Sequence, residues 1–118
     1  MKRELQIATL PVVALRGLVI FPKMMLHFDI GRKKSAAALN AAMEGEREIF
    51  LVAQKDLQED DPKQSDLYAC GVVASVRQVL RLPGTDNIRV VVEGRYRAGL
   101  IELTQDDPFL CGIVREKR

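Results

Sequence analysis

The chain has 118 residues, the size of one domain, and 47% of them are hydrophobic, enough to bury a core without disulfide or metal staples. Eighteen Lys and Arg against 16 Asp and Glu leave a net charge of +2, too balanced to point to nucleic acid or an anionic membrane as the main partner. Aromatic residues make up 5% and Trp is absent, so no platform for stacking bases is evident.

Lys2 and Arg3 ahead of the apolar stretch Ile7 to Leu15 loosely imitate a secretion signal. Glu4 in the basic region, Pro11 inside the run and Arg16 in place of a small-residue cleavage site argue against one. Leu10 to Leu15 is read instead as a buried strand of the mature fold, with Pro11 at its start or on an edge, because proline cannot donate to a ladder. No apolar run approaches the ~18 residues that span a membrane. Arg16-Gly17 forms a polar joint, after which Leu18-Val19-Ile20-Phe21 stays apolar as far as Pro22. Apolar residues at a turn are commonly hidden against a partner or used to bind one.

Met24 to Ile30 alternates, with Leu26, Phe28 and Ile30 on one face and Met25, His27 and Asp29 on the other. Gly31 to Ser35 leads into an alanine-rich segment that predicts the one helix, near residues 33–44, with Gly45 as its stop. Arg32, Lys33 and Lys34 at its start oppose the helix dipole, at a cost of roughly a few tenths of a kcal/mol each. Ile49 to Ala53 is a short buried strand. Gln54 to Asp66 holds five acids against two lysines and reads as a mobile surface loop. It lacks the glycine and terminal glutamate of a calcium loop, so no metal is assigned to it.

Gly71 to Leu82 and Ile88 to Glu93 flank Pro83-Gly84-Thr85-Asp86-Asn87, the strongest hairpin signal in the chain. Pairing Leu82 with Ile88 sets Leu80 opposite Val90, Val79 opposite Val91, Arg77 opposite Glu93 and Arg81 opposite Arg89. Gly94 is expected to end the second strand. In the next, Arg95 to Leu103, the inward parity changes after Leu100, which predicts a bulge or bend near Gly99. Phe109, Cys111 and Ile113 alternate in a last strand. Strands outnumber helices, and the turns are spaced as in a small barrel.

Catalytic chemistry has little to stand on. A phosphate-binding loop needs a Gly-Lys pair, and the chain has none. The serines are Ser35, Ser65 and Ser75, and the one histidine, His27, lies on the polar face of its strand. Lys34 adjoins Ser35, but a Ser–Lys dyad needs a buried lysine of depressed pKa, and a lysine at a helix start should be hydrated. Cys70 and Cys111 sit in apolar strand contexts and read as buried, reduced thiols; neither belongs to a C-x-x-C pair, so they do not suggest a metal site. Arg77, Arg81, Arg89, Arg95 and Arg97 cluster in the hairpin and the following strand, tempered by Asp86 and Glu93. Without interleaved aromatics they read as an ion-paired sheet face rather than an RNA surface.

Two stretches, taken together, carry a resemblance. Leu10-Pro11-Val12-Val13-Ala14-Leu15-Arg16-Gly17-Leu18-Val19-Ile20-Phe21-Pro22 resembles the opening of bacterial Lon proteases, "LP-x-x-x-L-R-x-x-V-x-F-P". Arg81 to Gly94 resembles that family's "P-G-x-x-x-V-x-V-x-G" hairpin, and Gly31-Arg32-Lys33-Lys34-Ser35 resembles the segment that opens its helix. The likeness runs from about Leu10 to Arg118 in the family's order. It implies a mainly β fold with one helix (α+β), a PUA-like pseudo-barrel of about six strands. It also implies that residues 1–118 form a single N-terminal domain, a fragment of a longer chain. The parent would be a cytoplasmic, ATP-dependent serine endopeptidase whose ATP, magnesium and Ser–Lys dyad belong farther along, with no catalytic, cofactor or metal residue here. The implied partners are unfolded or damaged proteins and the other subunits of a homohexamer. Candidate contact residues are Leu18, Val19, Phe21, Met24 and Met25, with Leu82 and Pro83 at the base of the hairpin, because methionines repack around different partners. Arg32, Lys33 and Lys34 form a second candidate surface for acidic segments. An assembly scaffold without substrate contact and a stand-alone PUA-like RNA binder stay open as alternatives.

Overall fold

The computed structural model describes residues 6–17, 20–59, 61–85 and 87–117. Its elements follow in the order β1 (Ile7–Leu15), β2 (Met25–Ile30), α1 (Lys33–Glu44), β3 (Glu48–Ala53), β4 (Cys70–Arg81), β5 (Ile88–Gln105) and β6 (Cys111–Glu116), with a short 3-10 turn at Gln64–Asp66.

β1 and β3 run parallel, from Val12 against Phe50 to Leu15 against Ala53. Their apolar runs are continuous because both faces are covered. Val13, Leu15, Ile49 and Leu51 enter one core layer, which also takes Leu39 of α1. Val12, Ala14, Phe50 and Val52 enter the other. A parallel pair needs a crossover, and α1 lies within it. It buries Ser35, Ala38, Leu39 and Ala42, the spacing of one helical face, and its small residues let it lie close to β1 and β3. The helix ends at Glu44 as expected, although Gly45 is not left-handed; Arg47 is, at φ 61°, and its N–H joins that of Gly45 on the Ala42 carbonyl.

The strand order is β2-β5-β4-β3-β1-β6, and β6 returns to pair with β5. Five strands therefore close a ring, while β2 hangs outside it, paired among the described residues with β5 alone. The expected pseudo-barrel with one helix is what forms. The 18 residues of β5 serve both halves: residues 88–93 lie between β2 and β4, residues 98–99 between β6 and β4, and the strand continues to Gln105 against β6 alone. Pro11 sits at the last rung of the β1–β6 ladder, opposite Cys111; beyond it the Val12 N–H turns to the Leu110 carbonyl at 2.8 Å.

Several expectations need correction. The hairpin register is one residue out: Arg81 pairs with Ile88, Leu80 with Arg89 and Val79 with Val90. The cause is a longer turn, in which the Leu82 N–H bonds the Asn87 carbonyl instead of pairing with Ile88. A second slip between Val76 and Gln78 puts Ser75, not Arg77, opposite Glu93. Arg77 still reaches Glu93, Nε to Oε1 at 3.0 Å. Arg89 lies across from Asp29 of β2 and pairs with it at 2.9 Å, rather than facing Arg81. Gly94 does not end a strand; β5 runs through it. The bulge expected near Gly99 falls between Leu100 and Glu102 and leaves Ile101 50% exposed. In β6 the inward parity is the reverse of the one expected: Gly112, Val114 and Glu116 are buried, and Cys111 and Ile113 are half-buried. Val114 lies between Ala8 and Leu100, inside the ring. The thiols are free but not buried. Cys70 opens β4 at the rim, exposed, where Lys117 Nζ donates to its Sγ at 3.0 Å; Cys111 is half-buried.

Candidate partner-binding surface

Ile20 is buried and anchors the segment that enters β2. The residues that follow turn outward: Phe21 is 52% exposed, Met24 38% and Met25 55%. Gly94 holds this turn in place. Lys23 N–H donates to the Gly94 carbonyl at 2.8 Å, Gly94 N–H donates to the Met24 carbonyl at 2.9 Å, and Met24 N–H closes on the Phe21 carbonyl at 3.2 Å. A Cβ at position 94 would collide with the Phe21 carbonyl oxygen, so only glycine lets the turn lie across β5. Lys23 adopts φ 68°, a left-handed conformation that is costly for a side-chain-bearing residue. The fold thus spends backbone geometry on a turn that displays three large apolar side chains. Leu18 and Val19, the other two candidates of this segment, lie outside the described residues.

Leu82 and Pro83 are not part of that surface. Leu82 is half-buried and Pro83 exposed at the hairpin tip, next to the Ile30 end of β2. Met25 stands at the other end, and a strand of this length separates the two by about 17 Å.

The basic segment is largely engaged within the chain. Arg32 donates to the Ala14 carbonyl at 2.8 Å, and Lys34 pairs with Asp61 at 2.6 Å, while Lys33 is exposed. Hydrogen bonding to Asp61 raises the Lys34 pKa, with Asp106 and Asp107 adding to the field, and the same bond lowers that of Asp61. A raised pKa is the opposite of what a Ser–Lys dyad requires. α1 has no acidic residue in its first turn and no side-chain cap, so Asp61 supplies from the loop the negative charge that the helix start lacks. Together with Val12, Ala14, Ser35, Pro62 and Leu110 these groups line a cleft of about 300 Å³.

The acidic loop is built around Gln54, which the sequence marked only as its first residue. Gln54 is 2% exposed, and its Nε2 donates to the carbonyls of Asp56 and Glu59 at 3.1 and 2.9 Å. Pro62 is buried. His27 is exposed on its strand, as expected. The arginines pair with carboxylates: Arg77 with Glu93, Arg89 with Asp29, and Arg95 with Glu48 at 4.0 Å. The guanidinium of Arg89 holds the Asp29 carboxyl below its ordinary range. Gly94 and Asp61 are the residues that sequence reading missed; a glycine within an otherwise unbroken β run was the available signal for the first.

Residues 9–117 match the family described as the ATP-dependent protease La (LON) substrate-binding domain. The Lon protease of Syntrophomonas wolfei is 45% identical over 109 residues, 92% of this chain and 13% of that protein. The Lon protease of Clostridium acetobutylicum is 45% identical over 107 residues, 91% of this chain and 14% of that protein. The chain therefore spans about one seventh of the length of these relatives. In fold it is similar to the N-terminal domain of the Mycobacterium avium complex Lon protease, with a TM-score of 0.74 at 20% identity, covering 94% of this chain and 55% of that one. A Lon N-terminal domain protein from Xanthomonas campestris follows, with a TM-score of 0.64 at 11% identity, covering 93% and 57%. The chain belongs to the Lon substrate-binding domain family.

Proposed function

We propose that this chain is the non-catalytic N-terminal domain of a longer ATP-dependent Lon protease, where it recognises unfolded or damaged protein and aids assembly of the parent homohexamer. The observation that carries the reading is the clamped turn at Phe21, Met24 and Met25, which exposes adaptable apolar side chains from a rigid seat. Burying about 200 Å² of that surface is worth roughly 5 kcal/mol before the cost of association, so one copy binds weakly. Several copies in one assembly supply the avidity that a single domain lacks.

Chemistry is assigned elsewhere in the parent. The chain has no Gly-Lys pair to cradle phosphates, which leaves ATP and magnesium to a downstream module, together with the Ser–Lys dyad. The cytoplasm is the compartment that fits; among the described residues no helix is long and apolar enough to cross a membrane.

The test is a titration of the methionine-methyl-labelled chain with a reduced, alkylated, permanently unfolded protein, followed by NMR. The Met24 and Met25 methyl signals are expected to shift, and the folded form of the same protein is expected to move neither. Unchanged methyl signals at large excess overturn the reading.

A further inference from the structure

β2 stands at the end of the strand order, outside the closed ring, with β5 on one side and, among the described residues, no strand on the other. One hydrogen bond decides which of its backbone groups face the open side. Gly94 N–H donates to the Met24 carbonyl at 2.9 Å, and the register sets Met25 against Glu93 and Ile30 against Ile88 without a slip. Bonded pairs alternate along an antiparallel ladder. Leu26, Phe28 and Ile30 therefore bond to β5, while Met25, His27 and Asp29 aim their N–H and C=O groups away from it. The same three residues carry the exposed side chains of the strand; Leu26 and Phe28 are half-buried and Ile30 is buried on the inner face.

Such an edge is a template for another strand, and native proteins ordinarily blunt it with lysine, proline or a bulge. β2 reads MLHFDI, with no lysine, proline or bulge, and its one charge, Asp29, is paired with Arg89. Beside it lies a groove of about 320 Å³ between β2 and the end of β1. Val13, Leu15, Phe28 and Ile30 supply its apolar lining; Arg16, Arg32 and Asp29 also border it, with Arg16 and Arg32 donating to the Glu59 and Ala14 carbonyls.

We propose that the outer edge of β2 takes an extended segment of an unfolded polypeptide as an added strand, apolar at alternate positions. This names the binding mode behind the proposed function and rests on that reading. Main-chain N–H and C=O groups are common to all unfolded chains and are already paired in folded ones, so an edge that reads them selects for unfoldedness over sequence. In an added strand, side chains alternate between the groove beside Phe28 and Ile30 and the solvent beside Met25 and His27. That alternation matches half-buried core strands that misfolding exposes. The exposed Met25 marks one end of the edge.

The probe is a capped peptide of about eight residues, alternating valine and threonine, added to the isotope-labelled chain. The backbone amides of Met25, His27 and Asp29 are expected to exchange about tenfold more slowly or better, with those of Leu26 and Phe28 unchanged. N-methyl groups on the bonding amides keep the side chains but remove the donors, and should weaken binding about tenfold. His27→Pro removes one outward donor and no bond to β5, and should also cost about tenfold. If that variant fails to fold, the peptide arms still decide. Equal binding of the N-methylated peptide, or unprotected amides at saturation, overturns the proposal. Methyl shifts at Met24 and Met25 without amide protection refute strand addition and leave the proposed function standing; absence of both removes both.

Discussion

The two halves of β5 make opposite uses of one strand. Residues 98–105 pair with β6, and the ring closes on them where Ala98 and Gly99 also pair with β4. Residues 88–93 lie between β4 and β2, and among the described residues β2 has no further neighbour. Closure consumes hydrogen-bonding edges and buries Ala98 and Val114 fully or nearly so. The open half keeps a free edge, a groove and the exposed side chains of Phe21, Met24 and Met25. The closed ring thus holds the domain together, and the surface proposed to meet a partner lies on β2, which pairs outside it.

The largest test of that separation is mutational. Phe50→Ala removes a fully buried ring from the layer beneath the closed half and should cost about 3–5 kcal/mol. Phe28→Ala, half-buried on β2, should cost about half as much; equal shifts in denaturant midpoint would break the distinction. Gly94→Ala forces a Cβ against the Phe21 carbonyl oxygen. It should cost about 1–3 kcal/mol and displace the Met24 and Met25 methyl signals, which would show that the displayed turn depends on the clamp. Met25→Asp should leave stability within about 0.5 kcal/mol yet weaken binding of unfolded protein several-fold, read by the same titration. The smallest effect is electrostatic. Asp29 and Asp61 have folded-state pKa values below their ordinary 3.8, through hydrogen bonds to Arg89 and Lys34. Their contribution is present above that ordinary value and is lost as the pH falls through the lower folded one. Asp29→Asn should therefore flatten the acid limb of stability below about pH 4, and only slightly, because the pair is exposed.

Much of this was legible beforehand. Both Leu10 to Leu15 and Ile49 to Ala53 read as buried strands because two covered faces leave a continuous apolar signal. The helix at 33–44 followed from alanine propensity and from Gly45 as a stop. The hairpin was found and its register missed, since a slip at Arg77 and a longer turn are decided by which backbone groups find partners. The candidate residues Phe21, Met24 and Met25 do share one exposed turn. Leu82 and Pro83 stand apart from them because β2 runs between. Arg32 and Lys34 carry basic signatures, yet a loop almost thirty residues on supplies the Lys34 partner, a distance no local pattern spans.

By itself, then, the amino-acid order determined the elements, the mainly β class and the lack of a phosphate-binding motif, because propensity, periodicity and motif spacing are local properties. The tertiary structure alone decided that β6 closes on one half of β5 while β2 stays outside, that Gly94 is a seat for a crossing turn rather than a strand end, and that Val114 rather than Cys111 faces the core. Each of these depends on which strand lies beside which. Pairing between distant segments is settled by the competition for hydrogen-bond partners and buried area across the whole chain, and that competition leaves no trace in any one stretch of it.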